Sequence, residues 1–106
     1  MLDFGLTSHT RICAELGARL RTQRLVHPFS QEDLASRAGV SVGTIKNIER
    51  KGQASMESFV RVVRALGLVD ELQALFLPRL TSIAQMERLE VAETITRAPR
   101  KTKAPK

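Results

Sequence analysis

Tryptophan and tyrosine are absent from the 106 residues, and phenylalanine occurs only four times. So small an aromatic complement argues against a large β-sandwich. Cysteine occurs once, at Cys13, which excludes an intrachain disulfide framework and a cysteine-based zinc site and suits a reducing cytosol. Cys13 lies near Ile12, Leu16 and Leu20 in a helical stretch and reads as a core thiol. No run of about 18 apolar residues is present to span a membrane, and the first residues lack the basic region and apolar run of a signal peptide. A cytoplasmic location is expected. No Gly-rich phosphate loop or nucleophile motif is visible, and His9 and His27 fall near helix ends with no acidic partner at metal-ligand spacing. These gaps point away from an enzyme and from any cofactor or metal.

Acidic residues are also missing from residues 97–106, where Arg97, Arg100, Lys101, Lys103 and Lys106 supply five of the six net positive charges. The remaining 96 residues are nearly neutral, so any affinity of that body for a polyanion must come from local placement of charge. From Thr94 onward the chain is basic, contains proline and has few large apolar groups, a composition expected to be disordered when unbound.

What is present is helical periodicity with local start and stop signals. Ser8 caps a first helix over 9–26, with Ile12, Leu16 and Leu20 as its expected inner face, and His27-Pro28 ends it. Ser30 opens a second helix, with Asp33 forming a shortened capping box, and Gly39 stops it. Ser41 caps a third helix from Val42 to about Arg50, and Lys51-Gly52 closes it. Ser55 caps a fourth over about 56–66, with Met56, Phe59, Val63 and Leu66 as its apolar stripe. Val69 to Phe76 is a fifth, before Pro78. Leu80, Ile83, Met86 and Leu89 recur every third residue and suit a short sixth helix, whose Glu87, Glu90 and Glu93 read as a solvated face. Residues 1–7 read as a loose lead-in. The expected architecture is all-α: a compact five-helix domain over 8–77, an extension over 78–93 and a disordered basic tail over 94–106.

The stretch from Gln31 to Arg50 carries the functional signal. Two short helices joined by a tight turn need a small residue where backbones approach, supplied by Ala35, and a residue tolerant of positive φ, supplied by Gly39. Leu34, Ala38, Val40, Ile45 and Ile48 occupy the positions that must meet the core. Ser41, Thr44, Lys46, Asn47 and Arg50 then remain on the outward face of the third helix. A major-groove reader requires such a face, because the groove admits one helix and base edges need donors and acceptors.

Over about residues 14–76 the sequence resembles the Cro/repressor (XRE) helix-turn-helix family. The resemblance implies that Gln31 bonds a phosphate and braces the recognition helix. It implies that Ser41, Val42, Gly43, Thr44 and Asn47 face bases or the adjacent backbone, with Val42 on a thymine methyl and Asn47 on an adenine edge. Lys46, Arg50 and Lys51 match phosphate contacts, and the empty position at Gly43 implies sparse readout that depends partly on DNA shape. Arg24 and Glu49 stand where the family often carries a scaffold ion pair. Pro28, where glycine is commoner, and Lys51-Gly52, where many members have glycine one place earlier, depart from the pattern. The implied partner is double-stranded DNA, bound as a near-palindromic operator by a homodimer. Leu68, Leu72, Leu75 and Phe76 with Leu80 and Ile83 are the candidate dimer surface, core closure being the alternative use for them.

Two other functions fit parts of the chain. The Gly67–Phe76 segment, the 80–93 stretch and the basic tail are similar to the C-terminal part of HipB-like antitoxins, and the runs Gly39 to Arg50 and Gln53 to Ser58 are also similar to such proteins. The resemblance implies a HipA-type kinase toxin as a protein partner of an autoregulating antitoxin. Alternatively, the basic tail alone would give a non-specific nucleic-acid binder, gaining affinity by counterion release but unable to select a sequence.

Overall fold

Four serines set where four helices begin. Ser8, Ser30, Ser41 and Ser55 each hold an extended backbone, and each hydroxyl accepts from the backbone N–H three residues on, at 2.9–3.3 Å. Each bond satisfies one of the donors that a helix start leaves without an intrahelical partner. The computed structural model describes the backbone of residues 2–79 and 82–103, with side chains as far as residue 95. In chain order a 3-10 turn Phe4–Leu6 precedes α1 His9–Val26, α2 Gln31–Ala38, α3 Val42–Lys51, α4 Met56–Ala65, α5 Val69–Leu72 and α6 Ile83–Lys103. The described residues contain no strand.

At α2 the capping box is complete, because the Asp33 carboxylate also accepts from the Ser30 N–H at 3.1 Å. Hydrogen bonding from the Ser30 N–H, with a smaller contribution from its hydroxyl, holds the Asp33 carboxyl below its ordinary value of 3.8. Gly39, at φ 71°, ends α2 in the left-handed conformation, and its N–H reaches back to the Ala35 and Ser36 carbonyls. Gly52 ends α3 in the same way.

The chain forms two compact units, residues 1–75 and 76–106. The core of the first is built from Leu34, Ile45, Val62 and Leu66, all nearly inaccessible, with Leu20, Ala35, Ala38, Ile48 and Val63 around them. Helix α1 turns a different face inward from the one its leucines suggest. Its buried residues are Gly17, Leu20 and Arg24, whereas Ile12 is half-buried and Leu16 is 37 % exposed. The reason is the approach of α3: a Cβ at Gly17 would overlap the Ile48 carbonyl oxygen and lie 3.2 Å from the Gly52 nitrogen. The glycine must therefore face α3, which moves Leu16 to the rim. Cys13 is half-buried.

Three further elements differ from their expected extents. The lead-in is organised by Asp3, whose side chain accepts from the Gly5 N–H at 2.9 Å, and Arg19 lies over the Phe4 ring at 5.2 Å. Helix α5 stops at Leu72 and does not reach Phe76. Beyond it the bonds tighten to three-residue spacing, Gln73 N–H to Asp70 and Leu75 N–H to Leu72, and Phe76 sits at φ 60°, outside any continuing helix. In the second unit α6 runs ten residues past position 93, through Lys103, where a disordered tail was expected. The run includes Pro99, a residue that removes a helix hydrogen bond, so helix propensity does not explain the extension. Residues 104–106 of the expected tail, like Leu80, lie outside the described residues.

Candidate nucleic-acid interface

Helix α3 is divided sharply into two sides. Ile45, Ile48 and Glu49 are buried. Gly43, Lys46, Asn47 and Arg50, spaced i, i+3, i+4 and i+7, are all exposed and so share one face. The exposed stripe carries two cations and no acid, and the exposed Lys51 follows at its C-terminal end. The one acidic residue of α3, Glu49, points the other way and is consumed inside the fold.

That inner side fixes the aim of the helix. The Arg24 guanidinium donates to Glu49 through Nε to Oε2 at 2.6 Å and Nη2 to Oε1 at 3.0 Å, with both side chains buried. Its Nη1 also donates to the Phe29 carbonyl at 2.8 Å. The Glu49 hydrogen bond favours the charged guanidinium and raises the Arg24 pKa, overcoming the opposite effect of burial. Gln31 Nε2 donates to Glu49 Oε1 at 3.1 Å. One carboxylate thus joins α1, the start of α2 and α3, and a bidentate pair of this kind restricts both distance and angle. Among the described residues no buried side-chain nitrogen or oxygen lacks a partner.

The remaining residues expected to meet DNA lie at the N-terminal end of α3. Ser41 is exposed, and its hydroxyl is 2.9 Å from that of half-buried Thr44, whose N–H it also caps. Each hydroxyl keeps further donor or acceptor capacity. Val42 is half-buried and packs against the core. Gln31 is half-buried beside Glu49. The structure thus places Gly43, Lys46, Asn47 and Arg50 together on the open face, Ser41 and Thr44 at its edge, and Gln31 and Val42 partly inside.

Two residues of the support were missed in the sequence. Phe29 carries the carbonyl that Arg24 grips, and its ring lies under the Arg37 guanidinium at 4.2 Å and beside His27 at 4.9 Å between ring centres. No periodic signal links these positions, because they meet across the turn between α1 and α2. These contacts tie the turn before α2 to α1 and to α2 itself. At the opposite end, α3 includes Lys51 and closes at Gly52, which settles where the following loop begins.

Among the described residues no group of three His, Cys, Asp or Glu is placed to hold a metal ion. No described helix is long and apolar enough to cross a membrane. No curated protein matches the chain by sequence. The structure is similar to that of the restriction-modification controller protein C.AhdI from Aeromonas hydrophila, at 27 % identity and a TM-score of 0.52, over 55 % of this chain and 89 % of that one. Residues 15–76, more than half of the chain, match the family described as Helix-turn-helix domain, and their last residue falls just past the end of the first compact unit. With α2 and α3 joined by the Gly39 turn and α1 locking α3 through Arg24, the chain belongs to the helix-turn-helix domain family and is of the Cro/repressor (XRE) type.

Proposed function

We propose that this protein is a DNA-binding transcriptional regulator, a sequence-specific repressor whose α3 lies in the major groove. The observation that carries the reading is the exposed, acid-free stripe of Gly43, Lys46, Asn47 and Arg50 on a helix held from behind by a buried ion pair. Asn47 matches the two-bond pattern of an adenine edge. Lys46, Arg50 and Lys51 neutralise phosphates and set the register without selecting sequence. Ser41, Thr44 and Gln31 contact the adjacent backbone or bases, and Val42 contributes the apolar edge of the same surface. The likeness to a restriction-modification controller protein supports transcriptional control as the use of this surface. The toxin partner implied by the resemblance to HipB-like antitoxins has no counterpart in that likeness.

The test is a titration of the DNA upstream of the protein's own gene against scrambled duplex at two salt concentrations. Asn47→Ala is expected to weaken binding to the upstream duplex by about 5- to 150-fold, the value of one good base contact, and to leave scrambled duplex unchanged. Equal binding of both duplexes by the wild type, falling steeply with salt, would remove the repressor reading and leave only charge-driven association.

A single domain of this size covers little DNA, so operator binding calls for two subunits on half-sites about one helical turn apart. Of the residues expected at the dimer surface, Leu68 and Leu72 are half-buried and pack against the core, whereas Leu75 is 48 % exposed. Leu75 lines a groove together with Leu16, Phe59 and Leu68, with Arg19 and Glu71 also on its wall. Phe76 and Ile83, in the second unit, are exposed. We place the dimer contact on the groove around Leu75. Leu75→Glu is expected to halve the mass measured by sedimentation equilibrium; an unchanged mass would move the contact elsewhere.

A further inference from the structure

The fold has no use for the glycine at position 43. The residue lies in the first turn of α3 with an ordinary right-handed backbone. A Cβ added there meets only the Ser41 hydroxyl oxygen, at 3.7 Å, an ordinary van der Waals contact. Gly17 and Gly52 are different, because neighbouring backbone already occupies the space their side chains would need. In a helix, glycine is also the worse choice for stability, since it gives up more conformational freedom than alanine on folding. What position 43 does have is a place on the surface: it is exposed and starts the stripe that continues through Lys46, Asn47 and Arg50. Side chains on a helix tilt toward its N-terminus, so any side chain at 43 would project at the end of α3 that meets base edges when such a helix docks.

We infer that Gly43 is a close-approach point, where the wall of the DNA groove packs directly on the α3 backbone. The missing side chain sets how deep the helix sits, and that depth brings the Asn47 amide, one turn further on, within hydrogen-bond reach of a base edge. Gly43 thereby determines specificity without making a polar contact of its own. The inference rests on the reading of α3 as the DNA-recognition helix.

Gly43→Ala separates fold from recognition, because the two respond in opposite directions. The probe is a duplex that the wild-type chain itself selects from a random-sequence library, with a scrambled duplex of the same length as the reference. The alanine variant is expected to melt about 2–4 °C higher than the wild type. It is expected to bind the selected duplex at least about tenfold more weakly, with scrambled duplex changed by less than about threefold. Asn47→Ala, measured beside it, should lose preference without the gain in Tm. If Gly43→Ala binds the selected duplex as tightly as the wild type while Asn47→Ala does not, the close approach is wrong and the recognition helix stands. A Tm that falls on alanine substitution would show that the glycine serves the fold, and would also overturn the inference. A wild-type chain that selects no sequence removes both the inference and the reading beneath it.

Discussion

Arg24→Met is expected to lower the melting temperature by on the order of 20 °C, one of the two largest effects expected outside the apolar core. The methionine fills much of the same space, but Glu49 is left as a buried carboxylate with only the Gln31 amide as partner. Breaking a buried pair from one side costs about 3–5 kcal/mol, a large share of the roughly 5–15 kcal/mol that holds a domain of this size together. The double variant Arg24→Met/Glu49→Leu is expected to recover most of the loss, since replacing both members by apolar side chains removes the uncompensated charge. The residual deficit reports the Phe29 carbonyl, which loses its Arg24 donor in both variants, and the Gln31 amide, which loses Glu49 in the double variant alone. Thermal unfolding followed by circular dichroism measures all three proteins. A double variant no more stable than the single one would mean that the pair acts through geometry rather than charge. DNA affinity of the double variant then becomes informative, because the pair is what aims α3.

Gly52→Ala is the second large effect, expected at about 3–5 kcal/mol. Two penalties coincide at this residue. Its φ of 68° lies in the left-handed region, which costs a residue with a Cβ roughly 1–2 kcal/mol. The new methyl would also overlap the Cys13 carbonyl oxygen and stand 2.9 Å from the Cys13 Cα, so it is backbone that must move. Gly39→Ala provides the comparison. Its φ of 71° is nearly the same, but the methyl would meet only the tip of Arg61, 3.1 Å away and flexible. Gly39→Ala is therefore expected to cost about 1–2 kcal/mol. Chemical denaturation of the two variants measures the difference; equal losses would show that α1 has room to withdraw from α3.

The contrast between these two glycines also marks how far the residues could be read without the fold. Gly39 and Gly52 both stood out as helix stops, because a stop is a local event involving one backbone angle and the carbonyls just before it. The four serine caps and the limits of α1 through α4 were legible for the same reason. So was the polar face of α3, since the residues that must be buried, Ile45 and Ile48, leave Gly43, Lys46, Asn47 and Arg50 on the other side of a 3.6-residue turn. Helix ends without a cap were harder. Nothing at Leu72 or position 93 carries a stop signal, and there α5 fell short and α6 ran on.

Which face of α1 turns inward was beyond such a reading. Apolar spacing favoured Ile12 and Leu16, yet Gly17 and Arg24 share the buried face with Leu20, and Leu16 is left at the rim of a groove. A residue's hydrophobicity is its own property, but the space available to it belongs to its neighbours. The Ile48 carbonyl leaves room for a hydrogen atom and nothing larger at position 17, and the Glu49 carboxylate makes burial of an arginine favourable at position 24. Local chemistry along the chain decides the helix starts, the stops and the outward face of α3. The close contact of α1 with α3 decides the rest, because it places side chains against a surface contributed by residues more than twenty positions away.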